Sequence, residues 1–450
     1  MNSDIPGIKG IIMVEQETSC EVLVIGAGPA GSTISTLLAQ RGRDVLMLEK
    51  SRHPRFHIGE SLLPMNMPLF DQLGVAKEIE RIGIVKLGAE FVSPWHGAPV
   101  MINFNDAWDN TYPSAYQVRR DEFDDILFTN AVNKGARVVE ECKVMDIKFQ
   151  PGAEALVTAV DKGGQTQRIR ARFVVDASGR DTFLANHFGM KRRNRKHNSA
   201  AIFGHFSGAK RLEGEVAGNI SLFWFDHGWF WFIPLSDGNT SVGATCWPYY
   251  MKTRKTDTTQ FLLDTIAMCP ALAERLKDAR LASPVTATGN FSYSSKRSSG
   301  ENYILLGDAF AFIDPVFSSG VFLAMNSAFA GAEAVETCLS KPLEAARALK
   351  EFDRVMMHGP KVFSWFIYRI TTPAMRNLLM YQGDDSRAKK ALISVLIGDV
   401  FGRNNRKYAF WLLMFKVMYY LLSLSDLSGS FKAWRKRKHS IRVIEMGATG

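Results

Sequence analysis

The chain has 450 residues, 46% of them hydrophobic and 22% charged, and a formal net charge of +10. This is an ordinary globular composition in a chain longer than one hydrophobic core usually serves, which excludes a collagenous, disulfide-stapled or disordered protein and predicts two adjoining domains. The basic excess gathers in Lys191–Lys196 and Phe431–Lys438 without the repeated interleaving of aromatic and basic residues that marks a nucleic-acid surface, so none is expected. Cys20, Cys142, Cys246, Cys269 and Cys338 are scattered with no C-x-x-C pair, which predicts reduced core thiols, a cytoplasmic protein and no metal site.

Met1–Ser19 lacks the apolar core and charged lead of a signal peptide and is expected to be a loose tail, with Met13 a candidate start of the ordered chain. Next, Val22-Leu23-Val24-Ile25 runs into Gly26-Ala27-Gly28-Pro29-Ala30-Gly31 and a helical pattern over Thr33–Gln40, followed by a second strand over Asp44–Leu48 that ends in Glu49 and Lys50. This is the strand, tight turn and helix of a dinucleotide site. Gly26 permits the turn, Gly28 lets backbone approach a pyrophosphate, and Gly31 lets helix and strand pack closely, so the helix N-terminus receives the negative charge. Glu49 lies 23 positions after Gly26, near the offset of roughly 20 expected of an acid that bonds a ribose hydroxyl.

Arg55–Pro64 is a polar knot ahead of a helical pattern ending at Leu73, in which Glu60 and Ser61 also suit a helix cap. From Val85 to Phe91 apolar and polar residues alternate as in a strand, and Lys86 on composition alone is a solvated stem. Two further strands end in polar turns, Phe173–Gly179 and Tyr303–Ala309. Between them, Ile202–Phe206, Asn219–Phe225, Trp229–Pro234 and Thr240–Trp247 are short strands bounded by turn residues, which predicts an antiparallel sheet. Alternation places Trp229, Trp231 and Ile233 on one face of the third strand. Val321–Ala334, Val362–Met380, Leu392–Phe401 and Tyr408–Leu424 read as helices, and the apolar run Ala409–Leu422, interrupted by Lys416, is shorter than the roughly 20 residues of a membrane span and is expected to pack inside.

The three turns together resemble the fingerprints of FAD enzymes of the glutathione-reductase-2 type, and Val118–Asp124 resembles the segment whose arginine, here Arg120, reaches the cofactor phosphates, with Asp308 facing the ribityl or pyrophosphate part. The segment Gly59-Glu60-Ser61-Leu62-Leu63-Pro64 resembles the flavin-side segment of flavin-dependent halogenases of the phenol and pyrrole type. In the same register Lys86 matches the lysine at the substrate end of their internal tunnel, and Trp229-Phe230-Trp231-Phe232-Ile233-Pro234 matches their W-x-W-x-I-P signature. Phe312–Gly320 is similar to their F-x-x-P-x-x-S-x-G segment, with the amides of Ser319 and Gly320 a candidate halide nest. Phe317 stands where tryptophan-type members carry a glutamate.

The resemblance implies an α/β fold: a Rossmann-like FAD-binding domain (20–199 and 294–345, with substrate-sheet strands near 86–118), an antiparallel substrate-side sheet (200–293) and an α-helical C-terminal cover (346–450) after a 1–19 tail. It implies that FAD reduced by a separate flavin reductase, with O2 and chloride or bromide, yields hypohalous acid that travels past the Trp229 and Trp231 wall to Lys86, which either forms a haloamine or hydrogen-bonds the acid, for substitution on a phenol or pyrrole, free or tethered to an acidic carrier protein. The basic residues Arg435–Lys438 are candidates for steering such a carrier or for touching acidic lipid. Two other readings stay open in the sequence, a single-component aromatic hydroxylase using NADPH and a non-catalytic flavoprotein scaffold.

Overall fold

The computed structural model describes residues 16–194, 197, 199–289, 292–383, 386–402 and 405–447. Met13 lies outside them, and the expected tail is shorter than 19 residues, because Gln16–Ser19 already pair with Gln167–Arg170 in a strand. The first ten strands are β1 (Gln16–Ile25), β2 (Val45–Leu48), β3 (Ile84–Lys86), β4 (Gly88–Val92), β5 (Val100–Asn103), β6 (Ala115–Gln117), β7 (Arg137–Val139), β8 (Cys142–Lys148), β9 (Ala155–Asp161) and β10 (Thr166–Asp176). One sheet runs Tyr303–Leu305, β10, β1, β2, β7, all parallel, with β9 added antiparallel to β10 and β8 antiparallel to β9. Its central strands carry apolar residues on both faces, Val22, Leu23 and Val24 among them, as a sheet covered by helices on both sides requires.

The register decides where a ligand can sit. Ile25 stands opposite both Leu48 and Asp176, and Asp176 opposite Leu305, so four parallel strands end level. Gly26, Glu49, Ala177 and Leu306 therefore leave the sheet at one edge, the carboxyl edge where open α/β sheets bind their ligands.

The second sheet runs Arg280–Leu281, Ala200–Ser207, Asn239–Cys246, Gly228–Pro234, Ile220–Phe225, β4, β5. Its four long strands fall within two residues of the sequence reading. It is not wholly antiparallel, since Ile220–Phe225 pairs in parallel with β4. More than a hundred residues separate the two strands in sequence, and a parallel pair needs only a long enough crossover. The expected single strand from Val85 to Phe91 is two: β3 pairs with β6 in a separate ribbon, and the chain turns at Leu87, where Asn219 Oδ1 accepts from both the Leu87 and Gly88 amides at 2.8 Å. The turn exposes Val85 and buries Lys86, the reverse of what their polarities suggest.

The helical C-terminal region is present. The expected helix Val362–Met380 is two, Ala345–Ile367 and Pro373–Leu379, because Thr372 is extended, its Oγ1 accepts from the Met375 amide and Pro373 starts the new helix. Arg387–Leu396, Asn405–Ser425 and Leu427–Gly447 complete it. Asn405–Ser425 packs on one face only: Tyr408, Leu412, Phe415 and Tyr419 are buried, while Phe410, Leu413, Leu421 and Leu424 are exposed. All five cysteines are free, four of them buried.

Candidate active site

Gly26 has φ +97°, and a Cβ on it would stand 2.6 Å from the Ala177 carbonyl oxygen. A Cβ on Gly31 would stand 1.8 Å from Gly26 O, so only a bare backbone lets the helix Pro29–Gln40 start this close to β1. Gly28 occupies the N-cap with no side chain over the first amides, and Ala30 is buried in the first turn. Glu49 braces this turn, its Oε2 accepting from the Ala27 amide at 2.8 Å and its Oε1 from the Ser51 amide at 2.9 Å. Lys50, half exposed, pairs with Asp181. Gly307 packs against Ala324 and Ala30, which brings Asp308 to the same edge. Burial pushes the Asp308 carboxyl up to about 7 against the pull of Arg180 and Arg120, although the residue keeps some open surface.

Arg120 is buried and forks onto Asp124, Nε to Oδ1 at 2.8 Å and Nη2 to Oδ2 at 3.1 Å, while Nη1 donates to Ile58 O at 2.8 Å. It thereby fixes the turn before Glu60. Neither Glu60 nor Ser61 caps a helix: Asn66 takes that part, accepting from the Leu63 amide. Glu60 Oε1 instead meets His205 Nε2 at 2.6 Å. Burial disfavours the charged imidazole, but the hydrogen bond and charge of Glu60 outweigh it, and the pKa of His205 is raised.

Ser61 points the other way and accepts from Lys86. The Lys86 ammonium nitrogen, on a residue 2% exposed, lies 2.9 Å from Ser61 Oγ and 3.0 Å from Leu62 O. Phe104 supplies a ring 5.1 Å from it, and burial pulls its pKa down to about 7. A neutral amine has two N–H donors and one lone pair. Two acceptors use both donors and leave the lone pair free.

The strand Gly228–Pro234 separates two cores. Trp229, Trp231 and Ile233 face the large core shared with the FAD-side sheet, while Phe230 and Phe232 face a smaller one on the far side. Trp231 is held by a hydrogen bond from Nε1 to Ser241 Oγ at 3.1 Å, lies 6.1 Å from Trp229, and fits because Gly243 has no Cβ to meet its ring at 2.2 Å. Pro234 ends the strand opposite Thr240. The helix Ser319–Ser340 begins after Ser318 in the left-handed region (φ +55°), with no side chain capping its first amides. Gly320 is exposed, and Ser319 Oγ is buried without a hydrogen-bond partner, as are Glu60 Oε2 and Thr33 Oγ1. A glycine turn that admits no Cβ, an uncapped helix start and unpaired buried oxygens on Thr33, Glu60 and Ser319 suit a phosphate-bearing cofactor and an anion.

Residues 19–341 match the family model described as an FAD binding domain. The flavin-dependent halogenase gsfI of Penicillium aethiopicum is 33% identical over 77% of this chain and 69% of its own. The solved structure of the myxobacterial chondrochloren halogenase CndH aligns with a TM-score of 0.76 and 33% identity over 85% of this chain and 91% of its own. The chain belongs to the flavin-dependent halogenases. The tryptophan 2-halogenase of Chondromyces crocatus is likewise 33% identical over 75% of this chain, which spans 65% of that enzyme's length, and the 1H-pyrrole-2-carbonyl-[peptidyl-carrier protein] chlorinase of Pseudomonas fluorescens is 28% identical over 85% of this chain and 89% of its own.

Among the residues singled out in the sequence, this halogenase joins Ser61 to Lys86, Glu49 to the glycine turn, and Gly307-Asp308 to the start of the first helix. Lys86 reaches Ser61 and Leu62 rather than the tryptophans. Three groups carried no sequence signal. Arg55 reaches Asp124 at 3.4 Å and Glu49 at 3.8 Å and overhangs Gly28, which puts a second guanidinium beside the cradle. His205 shows itself only through Glu60. Asp314, buried ahead of the Ser319 helix, meets Ser199 Oγ at 2.6 Å and His197 Nε2 at 3.2 Å. His205 and Asp314 depend on partners more than 100 residues away, and Arg55 is held by Asp124, 69 residues away, as well as by the nearer Glu49, which spacing cannot reveal.

Proposed function

We propose that the chain chlorinates or brominates an electron-rich aromatic ring, a phenol or pyrrole, with Lys86 as the residue that carries the halogen to it. Reduced FAD, provided by a separate flavin reductase, would give O2 two of the four electrons it takes up, and the halide would give the other two as it becomes hypohalous acid, with water the second product. The remaining work falls to side chains. The Ser319 and Gly320 amides, at an uncapped helix start, hold the halide. Arg120 with Asp124, Glu49 and the glycine turn hold the cofactor's phosphates and ribose, with Asp308 at its ribityl side. Trp229, Trp231 and Ile233 keep the organic ring on the far side of a packed wall.

The single observation that carries this reading is the desolvated Lys86 amine tied to Ser61 of the cofactor segment. A lysine buried against a hydroxyl and a carbonyl is costly, and such groups concentrate at working sites. With its lone pair free, Nζ attacks hypohalous acid to form an N–halogen bond and release water. The ring carbon then takes the halogen and loses its proton, and the amine is regenerated. The deciding experiment is mass spectrometry of products from wild type and Lys86→Ala, supplied with reduced FAD, chloride or bromide, and a panel of phenols and pyrroles both free and thioester-bound to a carrier. Product from wild type alone, with flavin oxidation unchanged in the variant, supports the assignment; product from both at similar rates overturns it. The likeness to a carrier-protein chlorinase favours the tethered pyrroles within the panel.

A further inference from the structure

We propose that the last two helices dock this protein onto an anionic lipid surface, lying flat in the headgroup plane without crossing the bilayer. The helix Asn405–Ser425 is apolar on two opposite faces. Tyr408, Leu412, Phe415 and Tyr419 recur at helical spacing and are buried against Pro373–Leu379 and Arg387–Leu396. Phe410, Leu413, Val417, Leu421 and Leu424 recur at the same spacing on the other side, and each is between 41% and 65% exposed. Single exposed leucines need no explanation, but an unbroken row along a helix marks a contact surface. A helix apolar all round is normally covered all round.

A second exposed apolar set follows the turn. Asp426 Oδ1 accepts from the Gly429 amide and starts the helix Leu427–Gly447, on which Leu427, Phe431 and Trp434 are exposed at spacings of four and three. Phe431 stacks on Trp434, and Lys438 Nζ lies 4.5 Å from the Trp434 ring. Lys432, Arg435 and Lys438 are exposed on this helix, and Lys436, also exposed, donates to Asp226 O at 3.2 Å. Apolar and aromatic residues flanked by lysine and arginine are the composition of a helix in the plane of an anionic membrane.

Charge separates this occupant from a second copy of the chain. Residues 405–439 hold eight Lys or Arg against one acid, Asp426; six of them (406, 407, 432, 435, 436, 438) are exposed, while Lys416 and Arg437 lie over the Trp365 and Tyr368 rings. Two such faces brought together repel, whereas acidic headgroups are attracted. Geometry separates docking from spanning. Arg406–Ser425 has the length and mean hydropathy (1.3) of a membrane span, but its inner face is committed to neighbouring helices of a globular body, so lipid cannot surround it.

The test is flotation of the purified full-length protein with vesicles of phosphatidylcholine alone and of phosphatidylcholine containing phosphatidylglycerol, with light scattering to give its mass. Two variants accompany wild type: Leu413→Ser/Leu421→Ser/Leu424→Ser, and Lys432→Gln/Arg435→Gln/Lys438→Gln. All six side chains are exposed, so melting temperature and FAD binding should not change. Wild type should float with the phosphatidylglycerol vesicles and be released by salt, the serine variant should not float, and the glutamine variant should bind at least about tenfold more weakly. Failure of wild type to bind, or flotation undiminished in the serine variant, overturns the proposal. So does a wild-type dimer that the serine substitutions convert to monomer, since the row would then be an interface between copies.

Discussion

Lys86 and Leu421 sit in places that transfer energies would exchange. The lysine is 2% exposed in the large core beside the flavin-side segment, and the leucine is 60% exposed on the penultimate helix. Each departure is supported by its surroundings. Around Lys86, Ser61 and Leu62 supply two acceptors and no carboxylate, which leaves an amine poised near neutrality instead of an ion pair. Around Leu421 the neighbours along the helix face are also apolar and the next helix is basic, which makes the exposure a property of a whole face. Violations of the burial rule are informative when they are organised, and the two carry the two proposals made above, one for a contact with a reacting halogen and one for a contact with a surface outside the molecule.

The largest effect that can break this comparison is chemical. Lys86→Ala should lower halogenated product at least about a thousandfold, because removal of a covalent carrier removes the whole route and not a share of it. Flavin oxidation measured in parallel should hold; loss of bound FAD together with product would make Lys86 a structural residue instead. Next in size is the contrast across one helix. Phe415→Ala should destabilise by about 3–5 kcal/mol because it empties part of a core, whereas Leu421→Ser should change stability by no more than about 0.5 kcal/mol. Comparable losses for both, read from denaturant midpoints, would mean that the outer face is packed after all. In the same range as Phe415, Trp231→Ala should cost about 3–5 kcal/mol and, in the folded variant, raise peroxide released per flavin oxidised. Unchanged coupling would make the tryptophan wall ordinary core.

A smaller effect sharpens the lysine's state. Lys86 titrates near 7 in the folded chain and near 10.5 unfolded, so between those values the unfolded chain binds the additional proton and stability rises with pH, by up to about 1.4 kcal/mol per unit. Lys86→Met should lose that slope. Asp308 acts in the neighbouring window with the opposite sign: its folded value near 7 lies above the ordinary 3.8, so stability of the flavin-free chain falls as pH rises between them. Thermal melts of the flavin-free wild type, Lys86→Met and Asp308→Asn from pH 4 to 10, a range of about six units chosen to cover both windows, separate the two. A flat difference between wild type and Lys86→Met above pH 7 would show that the amine stays charged.

The sequence by itself determined the local elements and the dinucleotide turn, because these rest on short-range rules: Gly26, Gly28 and Gly31 act within one turn, and period-two alternation assigned Trp229, Trp231 and Ile233 to one side of their strand before any partner strand was known. It also carried the motif register that singles out Lys86. Tertiary structure alone decided the rest. That Lys86 lies inside depends on Asn219, which turns the chain at Leu87 from 131 residues or more away in sequence. That Glu60 holds His205 and that Arg55 overhangs Gly28 are pairings of distant segments. Which face of Asn405–Ser425 is covered was illegible for a simpler reason: both faces are apolar, so periodicity offers no preference, and only the placement of the neighbouring helices leaves one of them facing out.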